Sequence, residues 1–196
     1  MSESGPTDTE FDPQDHIARL KPGVLLLARD LSDPNFNSTI VLLCQHGAEG
    51  SYGLVLNRPS HMPLSEVFDK PPAWVGADAS GSDLSRRQRI HIGGPVQPEE
   101  LQILQVTQEP VAGSYKVSTE VYLGGYWNDL KDILSIDPKT LRLFLGYSGW
   151  GAEQLAKEVE LRAWEVWDVD VKKLLLGPEE AWLGGMGQIK NFLSTL

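Results

Sequence analysis

Cys44 and His46 stand two residues apart where the apolar run Ile40–Cys44 ends. On a regular strand such residues share a face. A neighbouring imidazole can lower a thiol pKa, so the pair reads as the centre of a thiol-dependent enzyme or redox switch. The opposing reading is that Cys44 closes a continuous apolar run, where a free cysteine is a small buried hydrophobe. Two ligands do not hold a metal, and His16, His61 and His91 are scattered along the chain, so no metal is expected. Ser148 sits in Gly146-Tyr147-Ser148-Gly149-Trp150, which invites comparison with the hydrolase elbow G-x-S-x-G. Trp150 occupies the place of the last glycine, so the motif fails and no catalytic residue is assigned. Neither a Walker loop nor Gly-x-Gly-x-x-Gly is present, and no cofactor is expected.

Three apolar runs end in a similar manner. Leu54–Leu56 stops at Asn57-Arg58-Pro59, Arg89–Ile92 at Gly93-Gly94-Pro95, and Leu141–Leu145 at Gly146–Gly151. Glycine lets backbone amides approach a ligand, and proline fixes the direction in which the chain leaves a sheet. Ligands of helix-flanked sheets bind outside the carboxyl ends of strands. If the three ends lie together, Asn57, Arg58, Pro59, Gly93, Gly94, Pro95, Gly149 and Trp150 form a binding surface, with Arg58 clamping a small anion. The alternative is that they are tight turns that need Gly and Pro. Arg86, Arg87 and Arg89 form the only dense basic cluster; a solvated loop explains it without a partner.

The elements that must carry these residues read as follows. Val24–Ala28 is a first buried strand, and Ile40–Pro59 a hairpin broken by Gly47–Gly53. Between them, Arg29–Ser38 is a loop with Asp33-Pro34 as its turn and Phe36 as a plug into the core. Pro63–Phe68 and Trp127–Leu134 have helical spacing; Leu101–Val106 and Tyr115–Leu123 are further strands. Ala152–Trp164 is the clearest helix, with Leu155, Val159 and Ala163 on one face. Val166–Val171 reads as a strand, and Pro178–Leu183 and Ile189–Leu196 as helical ends. Strands outnumber helices without a β-α-β-α rhythm, which predicts an α+β domain with a mixed sheet.

The 196 residues suffice for one domain. Five of the 27 acids and none of the 17 bases fall in residues 1–15, which read as a disordered acidic lead-in to a single domain over 16–196. Residues 69–88 read as a mobile excursion. The formal charge of −10 argues against direct nucleic-acid binding. With one cysteine, no disulfide forms within the chain. The absence of a leader pattern and of a long apolar run points to the cytoplasm and away from a membrane.

Several of these segments, in this order, resemble the AlgH/YqgE family of bacterial proteins. The landmarks are Asp33-Pro34-Asn35-Phe36, Cys44-Gln45-His46, Gly53–Pro59, Gly93-Gly94-Pro95-Val96, Gly146–Trp150, Gln154-Leu155 with Glu158, and Ala163-Trp164. They span about Gly23 to Trp164. The resemblance implies a bulged, barrel-like sheet flanked by helices and a bacterial cytoplasmic protein. It brings little mechanism, since the family is largely uncharacterised and one branch carries the label of transcriptional regulator. The chain departs from the family pattern in lacking a proline after its first strand, in Gln45 where glutamate is usual, in Ser148 where alanine is usual, and at 69–88. The expectation is a non-enzymatic regulatory module that binds a small anionic ligand or a protein partner at the strand ends. A thiol enzyme or switch at Cys44 and His46, and a direct transcriptional regulator, are the alternatives.

Overall fold

A computed structural model describes residues 11–29, 38–62, 89–125 and 140–196. Phe36, the helices expected at 63–68 and 127–134, and the excursion at 69–88 with Arg86 and Arg87 lie outside them.

The described chain is α+β, built on nine strands: β1 (Leu25–Ala28), β2 (Ile40–Gly47), β3 (Gly50–Val55), β4 (Ile90–Ile92), β5 (Val96–Val106), β6 (Ser114–Ser118), β7 (Val121–Gly124), β8 (Leu141–Gly151) and β9 (Trp164–Trp167). They form one curled sheet in the order β6-β7-β5-β8-β3-β2-β1-β9, with β4 beside β8. The β4–β8 pair is parallel and the others are antiparallel, so the sheet is mixed. The helices are α1 (Pro13–Ala18), α2 (Gln154–Glu160), α3 (Val171–Leu176) and α4 (Met186–Leu193), with a 3-10 turn at Glu179–Ala181.

The unbroken apolar runs have a direct cause: both faces of the central strands are covered. Leu25, Leu27, Ile40, Leu42, Leu54 and Leu56 face an inner core closed by α3, α4 and the residues of β6 and β7. Their alternates, Leu26, Val41, Leu43 and Val55, face an outer core under α2, with Ile17 of α1 packed at its margin. The curl brings β6 round to the entry of β1, where a Cβ on Gly23 would lie 2.9 Å from that of Ser118. Each such buried leucine stabilises the fold by about 1.5–3 kcal/mol.

Several element bounds differ from the sequence expectation for local reasons. Leu141–Leu145 does not end at Gly146; the strand bends there at φ +66 and continues to Gly151, leaving β5 to pair with β3. Tyr115–Leu123 is a hairpin rather than one strand, turned at Glu120 with φ +58. The expected helix 152–164 is Gln154–Glu160, because Arg162 turns the chain at φ +61 and Trp164 joins β9. The strand expected at Val166–Val171 is instead β9, Trp164–Trp167, and Val171 begins helix α3, with Asp170 as N-cap accepting from the Lys173 N–H.

Candidate functional site: the seam around β4 and the cleft beside Gly149

The first two expected strand ends lie against each other. Beyond β3 the chain runs along β4, with Ile92 N–H donating to Arg58 O at 2.8 Å, Ser60 N–H to Ile90 O at 2.7 Å, and Pro59 bridged to His91. The Asn57 side chain is a staple: Oδ1 accepts from Ile40 N–H and Nδ2 donates to Ser38 O. Gly93 N–H donates to Leu145 O, while its own carbonyl accepts from Val55 N–H and, at 3.3 Å, from the Ser148 hydroxyl. Ser148 is fully buried and committed to this bond. Gly94 and Gly146 are forced by close approach: a Cβ on Gly94 would meet the Tyr147 backbone at 2.2 Å, and one on Gly146 the Gly94 carbonyl at 2.5 Å. Both have positive φ, so Gly there is a demand of the fold.

Gly149 and Trp150 lie elsewhere on β8, paired with Tyr52 and Ser51 of β3. The structure therefore joins Arg58 and Pro59 to β4 at Ile92 and His91, and Gly94 to β8 at Tyr147, while Gly149 and Trp150 line a cleft that shares Tyr147 and Val96 with the far end of this seam. That cleft, about 470 Å³, is lined by Gln45, Glu49, Tyr52, Tyr147, Gly149 and Trp150 among others. Tyr52 and Tyr147 stack at 4.5 Å between ring centroids. Burial pushes the Tyr52 phenol pKa up, helped by the nearby Cys44, Tyr115, Glu100 and Tyr147. The Trp150 indole points into the outer core, its N–H on Glu158 at 2.8 Å. A second hollow of about 700 Å³, with Lys21, Lys116, Asp168, Asp170 and Lys172 at its walls, carries mixed charge partly neutralised by the Lys21–Asp168 pair at 2.6 Å.

Cys44 and His46 do not share a face. The β2–β3 register shifts between Leu43 and Gln45, so a bulge interrupts the two-residue alternation. Cys44 joins the inner core. His46 pairs with Ser51, whose other partner is the outward Trp150, and its Nδ1 lies 2.7 Å from the Ser51 hydroxyl. Complete burial pushes the Cys44 thiol up, the opposite of activation.

A group that sequence reasoning passed over lies at the inner side of β4. The buried His91 Nε2 lies 2.8 Å from Glu179 Oε1, and Arg89 and Arg142 approach the same carboxylate at 3.5 and 3.8 Å. The His91 hydrogen bond, reinforced by the charges of His91, Arg142 and Arg89, holds the Glu179 carboxyl below its ordinary pKa against the opposing effect of burial. Burial lowers the Arg142 pKa, with Glu179 opposing. A clue was available: Arg142 interrupts the apolar run LRLFL and His91 lies between Ile90 and Ile92. Charged or polar residues inside buried strands need partners.

The curled, mixed nine-stranded sheet, its central strands buried on both faces, defines an α+β protein with a half-barrel core. Among the described residues no helix is long and apolar enough to cross a membrane. The chain belongs to the AlgH-like family, whose model matches residues 24–191. It is 34% identical over 194 residues to a UPF0301 protein of Anaeromyxobacter sp. (strain K), covering 89% of this chain and 98% of that one. A UPF0301 protein of Chlorobium limicola is 35% identical, over 79% and 75% of the two chains. The solution structure of the AlgH protein from Pseudomonas aeruginosa superposes with a TM-score of 0.65 at 29% identity, over 97% of both chains. A crystal structure of a Corynebacterium diphtheriae protein shares the fold at a TM-score of 0.64, with 22% identity and 84% of each chain covered.

Proposed function

We propose that this chain is a non-enzymatic cytoplasmic module that binds a small ligand, or a side chain of a protein partner, in the cleft beside Gly149. One contrast among the glycines carries the reading. Gly94 and Gly146 are imposed by backbone contacts, but a Cβ on Gly149 would meet nothing closer than Tyr147 Cε2 at 3.4 Å, an ordinary contact. A glycine inside a strand weakens it, and where no contact within the fold requires one, close approach of a ligand is one reason for it.

The stacked Tyr52 and Tyr147 rings and Glu49, with no Lys or Arg among the lining residues, suit a planar neutral or cationic group. An anion suits this cleft poorly, since no Lys or Arg lines it. A thermal-shift screen of planar amides and guanidinium compounds tests the reading, since a ligand that binds only the folded state raises its melting temperature. Hits should vanish in Gly149→Val while that variant alone melts close to the parent. Hits that persist in Gly149→Val place binding outside the cleft.

A further inference from the structure

We propose that the cluster of His91, Arg142 and Trp182 beneath Glu179 is a binding site for a small oxyanion, phosphate or carboxylate. This site is separate from the Gly149 cleft and does not depend on it.

Three buried polar atoms in this cluster have no hydrogen-bond partner among the described residues: His91 Nδ1, Arg142 Nε and Trp182 Nε1. Trp182 lies beside both of the others. The Arg142 guanidinium lies 5.0 Å from the Trp182 ring centroid, and the His91 and Trp182 rings stack at 6.2 Å. His91 and Trp182 are 1% and 0% exposed, and Arg142 8%. Buried polar atoms in folded proteins are nearly always paired, so three in one cluster call for an occupant.

Charge narrows its chemistry. Among the described residues Arg89 and Arg142 face one carboxylate, Glu179; Arg89 is open to solvent, so the buried charge is that of Arg142. Arg142 spends one amino group on Leu175 O at 2.6 Å, and its Nε–H remains to be used. Water could accept from Arg142 Nε–H and Trp182 Nε1–H but brings no charge to the buried Arg142 guanidinium, whose ion pair with Glu179 is long at 3.8 Å. An oxyanion accepts both bonds and neutralises that charge. His91, its Nε2 on Glu179, can donate Nδ1–H to the same ligand when protonated. Arg89 and Glu179, with side chains 55% and 21% exposed, are the members open to solvent.

Inorganic phosphate titrated into the full-length protein, followed by the indole N–H resonances, tests the site. The Trp182 resonance should move and saturate, while those of Trp150 and Trp164, bonded to Glu158, stay in place. Glu179→Gln, which removes a competing negative charge, should tighten binding by about tenfold, and Arg142→Lys, which removes the Nε donor, should weaken it by a similar factor. A merely structural cluster would lose stability in both variants and change affinity in neither. If Glu179→Gln or Arg142→Lys does not fold, the exposed Arg89→Gln takes its place, with binding expected to weaken about threefold. Acetate run in parallel tells carboxylate from phosphate, and saturation by either supports the site. A Trp182 resonance that stays put, moves equally with sodium chloride at matched ionic strength, or titrates identically in the variants overturns the proposal and leaves water as the occupant.

Discussion

Trp150 and Trp164 meet edge to face with ring centroids 6.0 Å apart, and both indole N–H groups donate to the same oxygen of Glu158 at 2.8 Å. Gln154 Nε2 donates to the other oxygen at 3.0 Å. One carboxylate on α2 thereby ties the end of β8 to the start of β9 across the outer core. Trp150, whose position at an expected strand end suggested ligand contact, has its indole committed to this structural bond.

Glu158→Ala leaves two buried indole N–H groups without that acceptor. At about 1–3 kcal/mol for each orphaned donor, the variant should lose about 2–6 kcal/mol, read as a fall in the urea midpoint at constant slope. Glu158→Gln keeps an acceptor oxygen and should lose clearly less. Equal losses in the two variants would mean that the indole bonds contribute little.

Gly94 and Gly149 separate fold from function. With φ at +155 and a Cβ 2.2 Å from the Tyr147 backbone, Gly94→Ala should cost more than about 3 kcal/mol or prevent folding. Gly149→Ala, with room for the methyl, should change stability by less than about 1 kcal/mol. Thermal melts of the two purified variants check the order; a Gly149→Ala melt as low as that of Gly94→Ala contradicts it.

Cys44 should be silent in the native protein. It is buried in the inner core, its thiol lying 3.5 Å from Leu42 O, and burial raises its pKa. A thiol reagent at neutral pH should modify it only on the timescale of unfolding and stoichiometrically in denaturant. Rapid native labelling would restore the redox reading.

Acid should weaken the fold in two separable steps. His16 accepts the Val166 N–H through Nδ1 at 3.1 Å, and burial is the main cause holding its pKa below 6.5. The folded state thus favours neutral His16. Its contribution is complete above 6.5 and is lost as pH falls through the folded value. Glu179, held below 4.5 chiefly by the His91 hydrogen bond, favours its ionised form. That contribution is complete above 4.5 and fades at lower pH. Urea melts from neutral pH down to about pH 3 should show both losses. His16→Gln should abolish the upper step alone and Glu179→Gln the lower one; curves parallel to the parent would assign the pH dependence to other groups.

Much of the scaffold was legible in the residues themselves. Runs such as Ile40–Cys44 and Leu54–Leu56 are strands because continuous apolarity suits a sheet covered on both sides. The landmarks from Gly53 to Pro59 and from Gly93 to Val96 carried the family. Local sequence could not show that Gly146 bends a strand rather than ending it, since glycine permits both. Nor could it show the bulge that turns Cys44 inward and His46 outward, because a bulge is a property of the pairing between two strands. The partnership of His91 and Arg142 with Glu179 joins residues 88 positions apart for the first and exists only once the C-terminal segment packs on the inner face. Sequence thus determined which segments must be buried. Tertiary structure decided which glycines the fold requires, which side chains are already paired, and where buried donors still lack a partner, because those are relations between surfaces that meet only in the folded chain.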